Sequence, residues 1–322
     1  MIKQAFKSFI KKIASPVFRQ ELNNGDIIAS AYQYLATSLP STGIKNCTGI
    51  VFSKNRAMQL HALLSSYLYY TKNPAPLHIL YRADTGNHKK AYEELKRIFA
   101  GQNIFFTEEQ GFRKDLEKLL KHIDTFSVFF MTDDGLFLDH FDLEEINAFT
   151  SYETIPSLIK GLDLTYCYIQ DRQQSLPPFY TPAGTNLPQY LKYWNWKDAE
   201  PWSDWAYPLS LDVSFFVKKE IEFFITHTNY KAPNSLESKL HQSFNILFLK
   251  RQGVCYTKAK YVNIVCNIVT TEQKNRNTGL HSTESLLSKW EEGYQIDYRK
   301  FENMNCSDAE TTPFSFIKRS SN

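Results

Sequence analysis

The sequence predicts an α/β fold with a mostly parallel central sheet flanked by helices, and three observations carry that reading. Short apolar runs alternate with helical periodicity between residues 47 and 131. Several of those runs end in polar clusters that fall at one edge of the implied sheet. The 322 residues, 43% of them hydrophobic, are enough for one large core with appendages rather than two full domains.

The elements follow in chain order. Residues 1–15 end at Pro16 and place Ile2, Phe6, Phe9, Ile10 and Ile13 on one helical face, with Lys3, Lys7, Lys11 and Lys12 beside it. Such a basic amphipathic helix fits an anionic membrane surface or a docking face on its own domain or a partner, and both readings stand. A mixed helical segment (25–38) and a Ser/Pro/Gly linker (38–43) complete an N-terminal extension over residues 1–43.

Cys47–Phe52 is the first strand, followed by a helix carrying Leu60, Leu63, Leu64, Tyr67 and Leu68. Leu77–Tyr81 is the second strand and runs into Tyr-Arg-Ala-Asp. The next helix carries Tyr92, Leu95 and Phe99. A weaker strand at Asn103–Thr107 precedes a helix with Phe112, Leu116, Leu119, Leu120 and Ile123. The apolar run Phe126–Met131 then ends in Thr-Asp-Asp-Gly. Strands alternating with helices of this length imply βαβ units, whose ligands lie beyond the carboxyl ends of the strands. The main domain spans 44–302; its second part is irregular and rich in Tyr and Trp. The tail, 303–322, is polar and expected to be loosely held.

Composition excludes several classes. A net charge of +3 without a basic stripe argues against a nucleic-acid partner. Five scattered cysteines without a CxxC pair fit reduced thiols, and hence a cytoplasmic setting. No apolar run approaches the roughly 20 residues a membrane span needs, and lysines interrupt the first apolar positions where a secretory signal would lie. Aromatics at 15% suit sugar or base stacking, and equally an ordinary core.

Asp133 and Asp134 end an apolar strand, where two adjacent carboxylates need a positive partner. A divalent cation chelated to a diphosphate meets that need, and the hard oxygen setting favours Mg²⁺ or Mn²⁺. The competing reading is a solvated Asp-Asp-Gly turn. Ser53-Lys54-Asn55-Arg56 lies where the first strand meets its helix, a place where backbone N–H groups and Lys54 or Arg56 can receive an anion; alternatively Asn55 caps the helix.

The order FSKNRAMQLHALLSSY, LHILYRAD and FFMTDDGLFL, followed by YPLSLDVSFFVKKEI and PNSLESKL, resembles the bacterial family-2 type glycosyltransferases of GT-A fold over roughly residues 47–300. The resemblance implies a nucleotide-binding half (44–160) and an acceptor half (161–302), and a sugar moved from a nucleotide-diphosphate donor to a glycan or lipid-linked acceptor with inversion. It implies that Asp134 binds metal, with Asp133 beside it at metal or ribose; Thr132 stands where the family often has another acid. It implies nucleotide contacts at Ser53 and Arg56 and a base or ribose contact at Asp84; by their place at the strand ends Lys54 and Arg82 join this candidate nucleotide site. Glu237 matches the catalytic base, although the family's Glu-Asp reads Leu236-Glu237 here. Asn234 and Glu237 also have capping-box spacing, and Asp212 is the rival base. A late histidine, His281, is a candidate third metal ligand, and Asp204 and Trp205 are candidates nearest an acceptor sugar. The alternatives are a nucleotidyltransferase, although FSKNR is no Gly-rich phosphate loop, and an inactive sugar-nucleotide-binding or interaction protein.

Overall fold

The computed structural model describes residues 45–319, apart from 185–186, 270–271, 273–275 and 312. The expected amphipathic helix at 1–15, the segment 25–38 and the linker therefore lie outside the described residues.

The first part of the described chain runs β1 (Cys47–Lys54), α1 (Ala57–Tyr70), β2 (Leu77–Arg82), α2 (Gly86–Ile98), β3 (Ile104–Glu108), α3 (Phe112–His122), β4 (Ser127–Thr132) and β5 (Gly135–Phe137). Then follow β6 (Thr154–Pro156), β7 (Leu191–Asn195), β8 (Phe215–Val217), α4 (Lys218–Thr226), α5 (Pro233–Phe248), β9 (Gln252–Tyr256) and β10 (Tyr261–Ile264). The last elements are α6 (Thr283–Glu291), β11 (Tyr294–Ile296), β12 (Glu310–Thr311) and β13 (Phe316–Lys318). The predicted alternation is present, with element ends shifted by one or two residues.

The central sheet has the order β8-β4-β1-β2-β3. β1, β2, β3 and β4 are parallel, and β8 closes the edge antiparallel to β4. β1 and β4 read as almost unbroken apolar runs because both sheet faces are covered, as parallel sheets require. β3 alternates instead, with Phe105 half exposed, because it is the edge strand. From β1 the chain builds outward through β2 and β3, then returns to place β4 on the other side of β1. The β1/β4 junction is therefore the topological switch point, where a crevice opens beyond the strand ends.

Helix α1 is buried nearly all round, which only a helix inside the core tolerates. It lies against β5, α2, α6 and β11, and each fully buried Leu or Tyr there contributes about 1.5–3 kcal/mol of apolar transfer. α2 is amphipathic and starts at Thr85, whose side chain accepts the N–H of His88.

The second part is more ordered than its sequence suggests. β7, β9 and β6 form one small sheet, and β12, β10 and β5 another. Trp194, Trp196 and Trp205 pack edge to face at 4.7 and 5.1 Å, so these three rings of the aromatic stretch are core. The tail corrects the expectation of looseness: Glu310–Thr311 pairs with β10 and Phe316–Lys318 with β11. Short strands in a polar tail carry almost no periodic signal, and their pairing partners lie tens of residues away.

Candidate active site

One cleft of about 1180 Å³ opens at the switch point, lined by the ends of β1, β2 and β4, the 196–212 segment, the start of α5, and Glu310. Ser53, Lys54, Arg56, Arg82, Asp133, Asp134, Asp212 and Glu237 all line it. The sheet thus gathers into one space residues separated by up to 184 positions.

The β1 and β4 ends are stitched together. Asp133 Oδ2 accepts the Ser53 hydroxyl at 2.8 Å and the Lys54 N–H at 2.9 Å; its Oδ1 accepts Arg56 Nη1 at 3.0 Å. The Ser53 hydroxyl is also 2.6 Å from the Tyr92 hydroxyl. Arg56 Nη1 reaches Asp134 Oδ2 at 2.9 Å, and Nη2 donates to the carbonyl of Asn267 at 2.6 Å. The positive partner that the two carboxylates require is therefore, in the first place, Arg56. Burial alone would lower its pKa, but the charges of Asp134 and Asp133 outweigh that and raise it. Asp133, with both oxygens engaged, holds the junction together. Asp134 is left with an oxygen that no donor among the described residues meets.

The Asp-Asp-Gly sequence is not a free turn. Gly135 lies in β5, and a Cβ there would fall 1.7 Å from the Tyr261 hydroxyl. Glycine is required by that close approach, one residue after the two carboxylates.

At the rim, Asp84 accepts Arg82 Nε at 2.8 Å, Asn55 Nδ2 at 3.0 Å and Lys54 Nζ at 3.3 Å. Asn55 returns the contact by accepting the Asp84 N–H at 2.8 Å, with its own backbone at φ 55°. These side chains form an exposed polar lip over the strand ends, and Asn55 ties two strand ends together instead of capping α1.

The two candidate bases line the same cleft. Asp212 accepts the Thr132 hydroxyl at 3.3 Å. Burial, then the charge of Asp134, pushes its pKa up to about 6. Glu237 Oε1 accepts the Leu211 N–H at 2.9 Å, and burial followed by the charge of Asp212 pushes it up to about 7. The capping-box alternative is corrected: Ser235, not Glu237, reaches back, its Oγ accepting the Ala232 N–H at 3.0 Å. Glu237 sits a turn inside α5 with its carboxyl on the cleft.

Sequence reasoning missed three lining groups. Lys160, Asn263 and Glu310 line the same cleft, and Lys160 and Asn263 are buried. Burial, then Asp204 and Asp212, holds Glu310 well above the usual carboxylate range. Lys160 was detectable as a charge closing an apolar run; Glu310 had no local signal. His281 is corrected as a ligand candidate: its ring packs on Phe314 and Phe316 at 5.1 and 5.4 Å, and it does not line the cleft. Trp205 is buried and donates to the Leu164 carbonyl at 3.0 Å, so it is core and not an acceptor wall.

Among the described residues, no group of three or more His, Cys, Asp or Glu side chains is arranged to hold a metal by itself. The donor chemistry nevertheless fits Mg²⁺ or Mn²⁺. Such ions bind through one or two carboxylates and complete their shell with water and substrate phosphates. Asp134 has an oxygen that no donor among the described residues meets, and its charge raises the pKa of Asp212.

No family model matches the chain. A bifunctional glycosyltransferase, pgtA, of Dictyostelium discoideum is 25% identical over 210 residues, 58% of this chain. The chain is similar to part of a glycosyltransferase. That part is 27% of the relative's length. Among solved structures, S. aureus TarS 1–349 in complex with UDP-GlcNAc matches at TM-score 0.39 and 14% identity, over 74% of this chain and 61% of that one. A nucleotidyl transferase from Methanothermobacter thermautotroptrophicus matches at 0.36 and 8%, over 66% and 88%. The mannosyltransferase PcManGT from Pyrobaculum calidifontis, in complex with GDP-Man and Mn2+, matches at 0.30 and 14%, over 48% of each chain.

Proposed function

We propose that the chain is a GT-A-like glycosyltransferase that moves a hexosyl group from a nucleotide-diphosphate sugar to an acceptor hydroxyl with inversion. One observation carries the reading: a carboxylate with a free oxygen at the switch point, Asp134, shares a cleft with a raised-pKa acid pair, Asp212 and Glu237. A nucleotide site alone does not call for a raised-pKa carboxylate; deprotonating a hydroxyl near neutral pH does, and either member of the pair supplies one.

In this mechanism the polar lip of Lys54, Arg82 and Asp84 receives the nucleotide, and the β1 end positions the diphosphate. Asp134 would hold Mg²⁺ or Mn²⁺, which when bound supplies Lewis-acid neutralisation of the leaving diphosphate. Glu237 or Asp212 takes the acceptor proton. The acceptor oxygen then forms its bond to the sugar C1 as the bond from C1 to the diphosphate oxygen breaks, and the nucleotide diphosphate leaves with the electron pair. The deciding experiment is a thermal-shift panel of UDP, GDP and other nucleotide-diphosphate sugars with Mn²⁺, since a ligand stabilises the state it binds. The expected result is a rise in Tm with one nucleotide class; a flat response to every member overturns the reading.

We further propose that the enzyme works in the cytoplasm at an anionic membrane surface, building a bacterial surface glycan. The basic amphipathic pattern of residues 1–15 supports this, and no helix among the described residues is long and apolar enough to cross a membrane. Flotation with phosphatidylglycerol vesicles should carry the full chain and leave behind a chain lacking residues 1–43. Equal flotation of both removes the membrane assignment.

A further inference from the structure

Of the five tryptophans, Trp194, Trp196, Trp205 and Trp290 are at most 1% exposed, whereas Trp202 is 77% exposed. It is also held in an unusual backbone state. Glu200–Ser203 is a turn closed by the Ser203 N–H on the Glu200 carbonyl at 3.2 Å, with Pro201 and Trp202 at its centre and Trp202 at φ 66°. A turn with proline second and positive φ third reserves that third place for glycine or asparagine. A bulky ring there is strained, so neither burial nor backbone preference accounts for it.

The turn is held firmly. Arg172 pairs with Glu200 Oε1 at 2.5 Å and donates to the Pro201 carbonyl at 3.0 Å, while the Ser175 N–H meets Glu200 Oε2 at 2.9 Å. Trp202 lines the same cleft as the candidate bases Asp212 and Glu237. Half-exposed Ile169 lines the same cleft, and Lys160 and Asn263 lie among its polar lining residues.

We infer that Trp202 is the platform on which a sugar ring of the acceptor stacks. A pyranose has one face of C–H groups and a rim of hydroxyls, so it calls for a flat apolar surface beside polar side chains, and a rigid aromatic supplies the first at little entropic cost. This inference rests on the transfer reading and assigns its acceptor to the carbohydrates.

The test uses iodide quenching of intrinsic fluorescence in the full chain, with methyl glycosides of hexoses and N-acetylhexosamines as probes. Iodide-accessible emission should belong to Trp202 and vanish in Trp202→Gly. At least one glycoside should protect it in the wild type. With that glycoside as acceptor, Trp202→Gly should raise KM roughly tenfold, the loss of about 1.4 kcal/mol of ring contact. Donor KM should not change, and Trp202→Phe should recover most of the loss. Because glycine suits the turn, Trp202→Gly should keep or raise Tm; a lower Tm marks a structural ring and overturns the proposal. Protection by no glycoside, in a protein that still binds its nucleotide sugar, overturns it too. A wild type that binds no nucleotide sugar refutes the transfer reading itself.

Discussion

Arg56 Nη1 lies 3.0 Å from Asp133 Oδ1, and both side chains are less than a tenth exposed. The pair joins the end of β1 to the end of β4 across the switch point. Breaking a buried pair from one side strands a charge in low dielectric. Arg56→Ala is therefore expected to cost about 3–5 kcal/mol in urea unfolding, against about 1–3 kcal/mol for Ser53→Ala, which removes one bond to the same carboxylate. Equal, small losses would show that the junction is not held by charge.

Asp134→Asn tests the metal assignment. It keeps the contact with Arg56 but removes the charge that a divalent ion would use. A loss on the order of 100-fold in kcat is expected, together with loss of Mn²⁺ stimulation, while Tm without metal changes little. Unaltered Mn²⁺ dependence would move the metal elsewhere.

Asp212 and Glu237 titrate together, so a rate profile reports the pair. A base acts as its anion; with values pushed to about 6 and about 7, kcat/KM should climb between pH 5 and 8 and level off. The true base should lose about 100- to 10,000-fold as its amide, and lose that rising limb. Glu237→Gln and Asp212→Asn, measured side by side, decide which it is.

The same raised acid sets a stability trend. When the folded pKa lies above the unfolded one, the folded state binds more protons between the two values. Stability therefore falls as pH rises from 4.5 towards about 7. Glu237→Gln, which never ionises, should have a higher Tm than the wild type at pH 8, and the gap should close by pH 5. A gap independent of pH would mean that packing, not charge, separates the two.

Much of this was legible in the sequence because it was local. Short apolar runs placed β1, β2 and β4, the 3.6-residue period placed α1 and α2, and the strand-end rule brought Ser53, Arg82 and Asp133 to one edge. What stayed hidden was pairwise geometry across long separations. Arg56 was free to face a phosphate until β4 came alongside and its carboxylates took the guanidinium. Asn234-Ser235-Leu236-Glu237 offers two acceptors for one helix start, and only the path of the backbone before Pro233 decides for Ser235. Trp202 and Trp205 are indistinguishable by composition; one turn separates an exposed ring from a core one.

The pairing of Glu310–Thr311 with β10 has a consequence for the order in which the molecule assembles. β10 also carries Asn263 and pairs with β5, the strand that begins with Gly135. A nascent chain that has emerged only as far as residue 300 already contains the whole central sheet, the carboxylates Asp133 and Asp134 that follow β4, and both candidate bases. It lacks the strand that brings Glu310 to the cleft. A late segment thus finishes a pocket whose other walls are made much earlier, and the cleft gains its full lining only once synthesis has passed Glu310.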